Sequence, residues 1–261
     1  MLFRSGTTLS YRKSGTGNAF VLIHGFGEDS TVFDGFIPAL SGSSQLILPD
    51  LPGCGASAAW QQEQLSIEDL ADAIDAILLH ENIARCRIMG HSMGGYITLA
   101  FAEKFPEKVQ ALALLHSTAY ADAPERIQKR IQAIEFIERN GAAAFLQLST
   151  PGLFAPEFRA VHPLIMNSLT DSMKHVSAQT LIHFYRAMIA RKNRMTVLQK
   201  LQVPVMLVAG EKDEIIPVAS LIEQAKLAPK AYIHIIKSAA HMSMLETPDQ
   251  LGAIFARFLL L

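Results

Sequence analysis

Ser92 has glycine two residues away on each side, within Gly90-His91-Ser92-Met93-Gly94-Gly95. A serine hydroxyl is a weak nucleophile at neutral pH. It does chemistry where the backbone exposes it beside a base that a third group orients. Glycines at minus two and plus two permit a turn too tight for β-carbons, with the serine held in a strained conformation. So short a pattern recurs by chance, and its surroundings must decide. Cys86 to Met89 is a short, bounded apolar run suited to a buried strand, and Tyr96 to Phe105 keeps apolar residues at helical spacing until Pro106. A serine where strand becomes helix is the setting of a nucleophile elbow. The alternative, a phosphate loop with an incidental serine, would need a Lys-Ser or Lys-Thr pair after the glycines, and none is present.

The chain must also supply a base and an acid. Its nine histidines are at 24, 80, 91, 116, 162, 175, 183, 234 and 241. His80 falls late in a helix, three others fall in a helical stretch, and His234 lies inside a strand. His91 adjoins the serine but is expected to point away from it across the turn. His241 follows the last strand through Lys237-Ser238-Ala239-Ala240, on a loop able to reach the sheet's carboxyl edge, and is the best base. Asp213 follows Val205 to Ala209 across Gly210-Glu211-Lys212 and is the favoured acid, with Glu211, Glu214 and, more distantly, Asp50 as alternatives. The order Ser, Asp, His is the one elbow enzymes use. Negative charge developing on a carbonyl oxygen needs two backbone donors. Met93 N–H, at the helix start, gains from the helix dipole. The second is expected from His24-Gly25-Phe26-Gly27, with Phe26 N–H the choice. Ile215 and Met242, beside the acid and the base, are candidate pocket walls.

The elements that must hold these residues follow from periodicity. Ala19 to Ile23, Gln45 to Leu48, Val109 to Leu115, Val203 to Ala209 and Tyr232 to Ile236 read as further strands, and residues 2 to 13 as a marginal hairpin around Gly6-Thr7. Ser66 to Leu79 is an amphipathic helix, with Ser66 and Asp69 spaced as a capping box. Apolar strands alternating with helices imply an α/β fold with a mostly parallel sheet covered on both faces. His24, Asp50, Ser92, His116, Asp213 and His241 all follow predicted strands, and such sheets gather their reactive loops at the strands' carboxyl ends. Residues 118 to 200 break the rhythm. Helices are expected at Pro124 to Arg139 with an Asn140-Gly141 stop, at Ala142 to Leu148, at Pro156 to Asp171 and at Ser177 to Lys192. This gives a core of residues 1–117 and 201–261 with an all-helical insertion of residues 118–200. The charged positions among 125 to 139 read as a solvated face.

Composition excludes several classes. Lys and Arg total 23 against 24 Asp and Glu, so neither a nucleic-acid footprint nor attraction to an anionic membrane is expected. Cys54 and Cys86 cannot build a disulfide framework, and no Cys/His spacing suggests zinc. Cys86 reads as a packed thiol. Met1 to Gly6 lacks a signal-peptide core, and no apolar run approaches the roughly 18 residues of a spanning helix, so a cytoplasmic location is expected.

His24 to Gly27, Asp50-Leu51-Pro52-Gly53-Cys54-Gly55-Ala56-Ser57, Gly90 to Gly95, Gly210 to Asp213, and Ala240-His241 through Glu246-Thr247-Pro248 together resemble the α/β-hydrolase superfamily. The likeness is greatest to small soluble carboxylesterases with a Gly-His-Ser-Met-Gly-Gly elbow. It leaves only the insertion uncovered, where the family carries a variable cap. The resemblance implies a serine hydrolase cleaving small to medium apolar esters through an acyl-enzyme, with no metal or organic cofactor. A C–C bond hydrolase, a lactonase or a thioesterase would use the same triad, and a small-molecule sensor could retain it. Met166, Met173, Met188, Phe154, Phe158 and Phe184 of the insertion are candidate pocket residues. Ala240 stands where the family usually has glycine, and Cys54 where histidine or arginine is frequent. Tyr96 replaces the Arg or Lys of the menaquinone-pathway lyases. Serine rather than aspartate at 92 argues against the dehalogenase and epoxide hydrolase branches.

Overall fold

The computed structural model describes residues 1–3 and 6–261. Seven strands, β1 (Tyr11–Ser14), β2 (Asn18–Ile23), β3 (Ser44–Pro49), β4 (Cys86–His91), β5 (Val109–Leu115), β6 (Val205–Gly210) and β7 (Ala231–Ile236), form one sheet in the order β1-β3-β2-β4-β5-β6-β7. β1 pairs antiparallel with β3 and every other pairing is parallel. β2, β4, β5 and β6 are buried almost throughout, as a parallel sheet with helices on both faces requires. β7, at the edge, is partly or fully exposed from Ala231 to Ile235 and buried only at Ile236.

α1 (Ile67–His80) begins at a complete capping box. Asp69 N–H donates to Ser66 Oγ at 3.0 Å, and Ser66 N–H donates to the Asp69 carboxylate at 3.0 Å. α2 (Met93–Lys104) packs against α1, β4 and β5. Between β5 and β6 come α3 (Pro124–Ser149), α4 (Pro156–Val161), α5 (Pro163–Ser172), α6 (Ala178–Ala190) and α7 (Met195–Lys200), and no strand interrupts them among the described residues. α8 (Val218–Ala225) lies on β6 and β7. After α9 (Ser243–Glu246), α10 (Pro248–Phe258) sets Phe255 and Phe258 against Phe20 of β2, with ring centroids 6.0 Å apart in both pairs.

The helix that starts at Pro124 breaks at the expected Asn140-Gly141 stop, where Gly141 takes φ 83°, ψ 167°, so α3 is two helical stretches joined at a kink. Three elements differ from expectation. The helix expected over 156–171 divides at His162 because Pro163 disfavours helical backbone in the residue before it, and His162 takes φ −126°, ψ 49°. Strand β6 starts at Val205, after Pro204, which cannot donate to a ladder. The expected hairpin over 2–13 falls partly on residues 4 and 5, outside the described residues. What is described is one bridge, Leu2 to Thr8, with Tyr11–Ser14 paired to β3. Among the described residues no helix is long and apolar enough to cross a membrane.

Candidate active site

β4 lies between β2 and β5, which sets its carboxyl end near the middle of the sheet. There Ser92 adopts φ 51°, ψ −116°, left-handed backbone that a non-glycine residue holds only under constraint. Ser92 N–H donates to Leu115 O at 2.9 Å, and Ser117 Oγ donates to Ser92 O at 2.7 Å. The glycines are required by close approach. A β-carbon on Gly90 would sit 2.1 Å from the Gly94 carbonyl, and one on Gly94 would sit 2.2 Å from Ile23 O.

Asp213 and His241 meet from the loops after β6 and β7. His241 Nδ1 lies 2.8 Å from Asp213 Oδ2, while Asp213 Oδ1 accepts N–H bonds from Ile215 at 2.8 Å and Ile216 at 3.0 Å. A second histidine shares the same oxygen. His116, directly after β5 at φ 50°, places Nδ1 3.0 Å from Asp213 Oδ2 and Nε2 2.7 Å from Ser243 Oγ. Burial pushes His116 down to about 4, against the hydrogen bond and charge of Asp213. A neutral His116 therefore donates from Nδ1 to the carboxylate and accepts the Ser243 hydroxyl at Nε2. Burial alone would raise the Asp213 carboxyl, but the positive charge His241 can carry and the bonds from both histidines hold it well below the usual range. The ligand atoms of His116, Asp213 and His241 lie within 4.8 Å of one another, a spacing a metal could use, yet they already engage each other through hydrogen bonds. The alternative acids lie elsewhere: Glu211 and Glu214 are exposed, and Asp50 accepts the Ser30 and Ala56 amides.

His91 does not point clear of the site. Its ring lies 5.0 Å from that of His241, its Nε2 lies 3.0 Å from His241 O, and its Nδ1 lies 3.0 Å from Glu28 Oε2. Glu28 is buried and also accepts Gly25 N–H at 2.8 Å. Burial would raise its carboxyl, but His91 and the Gly25 amide lower it overall. The pair supports the His24–Gly27 turn and the His241 loop together. Its signals, Glu28 three residues after Gly25 and His91 just before the serine, gave no hint of pairing across 63 residues. Opposite, Glu246 accepts Ala155 N–H at 2.7 Å and Ala240 N–H at 2.9 Å, and His241 N–H donates to Leu153 O at 2.9 Å.

Ser92 and His241 line one cavity of about 140 Å³ beneath α3 and α6. No hydrogen bond joins their side chains among the described residues, and such contacts often tighten only around substrate. The amides of Phe26 and Met93 make no hydrogen bond to the protein there either. Phe26 packs against Tyr185 with the rings tilted by 35° and their centroids 4.4 Å apart. Of the expected walls, Ile215, Met173 and Met188 line the cavity. Met242 does not. It is wholly buried in the core ahead of α9, because the residue after His241 turns back under the loop. Met166, Phe154, Phe158 and Phe184 also lie off the cavity, Phe154 and Phe158 stacking on each other at 5.7 Å. The solvated-face reading of 125 to 139 fails at Arg130, which borders the cavity with its side chain 12% exposed.

Among curated proteins, the chain is 28% identical over 250 residues to the dihydrolipoyllysine-residue acetyltransferase component of an acetoin cleaving system from Pseudomonas putida. The aligned part is 93% of this chain and 64% of that protein, so the chain spans less than two thirds of that relative. It is 24% identical over 261 residues to lipase 1 of Psychrobacter immobilis, covering 97% of this chain and 81% of the lipase. A solved thermophilic esterase from Thermogutta terrifontis, with malate bound, aligns at TM-score 0.91 and 25% identity over 96% of this chain and 92% of its own. A family model for the alpha/beta hydrolase fold matches residues 18–148, half of the sequence, and the chain belongs to that family.

Proposed function

We propose that this hydrolase is a carboxylesterase in which Ser92 is the nucleophile, His241 the general base and acid, and Asp213 the group that fixes His241. The observation that carries the reading is the strained Ser92 elbow sharing a cavity with a His241 whose Nδ1 is held by Asp213. Donation of Nδ1–H to the carboxylate leaves the Nε2 lone pair to take a proton. Ser92 Oγ would attack the ester carbonyl as its proton passes to His241 Nε2, and the oxyanion would receive the Phe26 and Met93 amides. Collapse expels the alcohol, which takes the proton from His241. Water, deprotonated by His241, then attacks the acyl-enzyme, and the acid leaves with Ser92 regaining its proton. No step calls for a metal or organic cofactor. The helices of residues 118–200 would act as a cap that roofs the pocket and sets its length. With net charge −1, a small-molecule substrate fits better than nucleic acid.

A panel of p-nitrophenyl acetate and butyrate, a six-membered lactone and an acyl-CoA, run on wild type and Ser92→Ala, tests the assignment. Ester turnover lost by at least about 10³-fold in the variant is expected. Ester turnover that survives in Ser92→Ala contradicts the role of Ser92. Preference for the lactone or the thioester would move the activity within the same chemistry.

A further inference from the structure

Arg130 stands in the wall between two cavities. With Tyr185 and Ile215 it borders both the inner cavity that holds Ser92 and His241 and an outer, surface-open one. Its Nε donates to Asp122 Oδ2 at 2.6 Å, and its Nη2 reaches Asp122 Oδ1 at 3.5 Å. Oδ1 also accepts Arg191 Nη2 at 2.9 Å, so one buried carboxylate serves two guanidinium groups and the trio carries one excess positive charge. Arg191 is closed off from the cavity. Its Nη1 reaches Met188 O, its Nη2 also reaches Tyr120 O, its Nε is buried without a partner, and its guanidinium lies 4.0 Å over the Tyr96 ring. Arg130, by contrast, lines the cavity, and its Nη1 has no hydrogen-bond partner among the described residues. The other acid on the inner cavity, Glu28, is already engaged by Gly25 N–H and His91.

Arg130 shares the Asp122 carboxylate with Arg191 and keeps a solvent-reachable donor beside the cavity, so an anionic ligand group there would gain a charge-assisted hydrogen bond. Arg126 and Lys129, four residues and one residue before Arg130 on the same helix, line the outer cavity with it. Glu125 and Glu214 oppose them there, leaving the mouth with one more cation than anion. The remaining inner wall is largely aromatic and aliphatic, including Phe26, Phe145 and Met188. An apolar pocket with a single unmatched cation distinguishes ligands by charge more sharply than by length.

We propose that this pocket selects short esters or lactones bearing a second, ionised carboxylate, with Arg130 receiving the carboxylate while Ser92 attacks the ester carbonyl. The proposal rests on the esterase reading above, and it replaces a purely apolar substrate with a half-ester of a short dicarboxylic acid. The test compares monomethyl glutarate with dimethyl glutarate at pH 7.5, following methanol release. In wild type, kcat/KM for the monoester should exceed that for the diester by at least about tenfold. That ratio should fall to about two or less in Arg130→Met and lie between in Arg130→Lys, which keeps the charge without the fork. Monoester KM should rise in 0.5 M NaCl while diester KM does not. A wild-type ratio at or below one overturns the proposal whatever the variants do, and so does a ratio that Arg130→Met leaves unchanged. If neither ester is turned over, the esterase reading falls separately and calorimetry with glutarate decides. Binding weakened at least about tenfold by Arg130→Met supports the carboxylate site, and no binding to wild type at millimolar glutarate overturns it.

Discussion

Asp213 Oδ2 faces two imidazoles, and the sharing has a chemical consequence. A neutral His116 that donates to the carboxylate draws off part of the negative charge available to stabilise a positive His241. His116 is thus a positioning residue, held by Ser243 on its far side. His116→Phe should lower kcat more than KM, and His116→Asn, which keeps a donor, should recover part of the loss. The acidic limb of the pH–kcat profile should move to higher pH in His116→Phe, because the carboxylate regains its full charge. The other titratable groups beside His241, namely His91 with Glu28 on one side and Glu246 on the other, are untouched by the substitution. A purely structural His116 would cut active enzyme without moving that limb. At the elbow, Gly94→Ala forces a β-carbon against backbone oxygen and should cost more than about 3 kcal/mol in urea unfolding. Wild-type stability in that variant would contradict the tight turn.

The elements that carry the base and the helical insertion are joined by few bonds. Glu246 binds Ala155 N–H and Ala240 N–H, and burial raises its carboxyl despite those bonds. Glu246→Gln replaces one acceptor by a donor that faces an N–H. It should cost about 1–3 kcal/mol and open the 150–161 segment to proteolysis and hydrogen exchange before the sheet. Unchanged protection of that segment would remove the clamp. Strands β2, β4, β5 and β6 were legible in the sequence because parallel strands buried on both faces are apolar throughout. So were the Ser92 elbow, the Asp213 loop and the His241 loop, whose residues are marked by strand ends and glycines. The insertion was legible only as helices. Which face of α3 turns inward depends on contacts with residues far along the chain, so Arg130 looked like one more exposed cation. Met242 was misplaced for a related reason: adjacency to His241 says nothing about the direction of a side chain in a turning loop. His116 stood at a strand end with no local sign that it would meet Asp213, 97 residues on.

Over the whole molecule, buried titratable groups couple the fold to pH. His116 is lowered to about 4 when folded and returns toward its ordinary 6.5 when unfolded, so the unfolded chain binds the extra proton between those values. Its contribution is complete above about 6.5 and is lost as pH falls toward 4, on the order of 3 kcal/mol in all. Asp213, also lowered, adds losses of the same sign only at still lower pH. Melting temperature should therefore fall between pH 7 and 4.5, with a shallower slope in His116→Asn. Equal slopes would assign the loss to other groups. The central claim, that Ser92 is the acylated nucleophile of a carboxylesterase, is tested most directly by intact-mass and peptide mapping after treatment with a fluorophosphonate. The account predicts one adduct per chain, on Ser92, with ester hydrolysis lost in proportion to labelling and no adduct on Ser92→Ala. An adduct on another residue, or hydrolysis that persists once Ser92 is fully labelled, would contradict it.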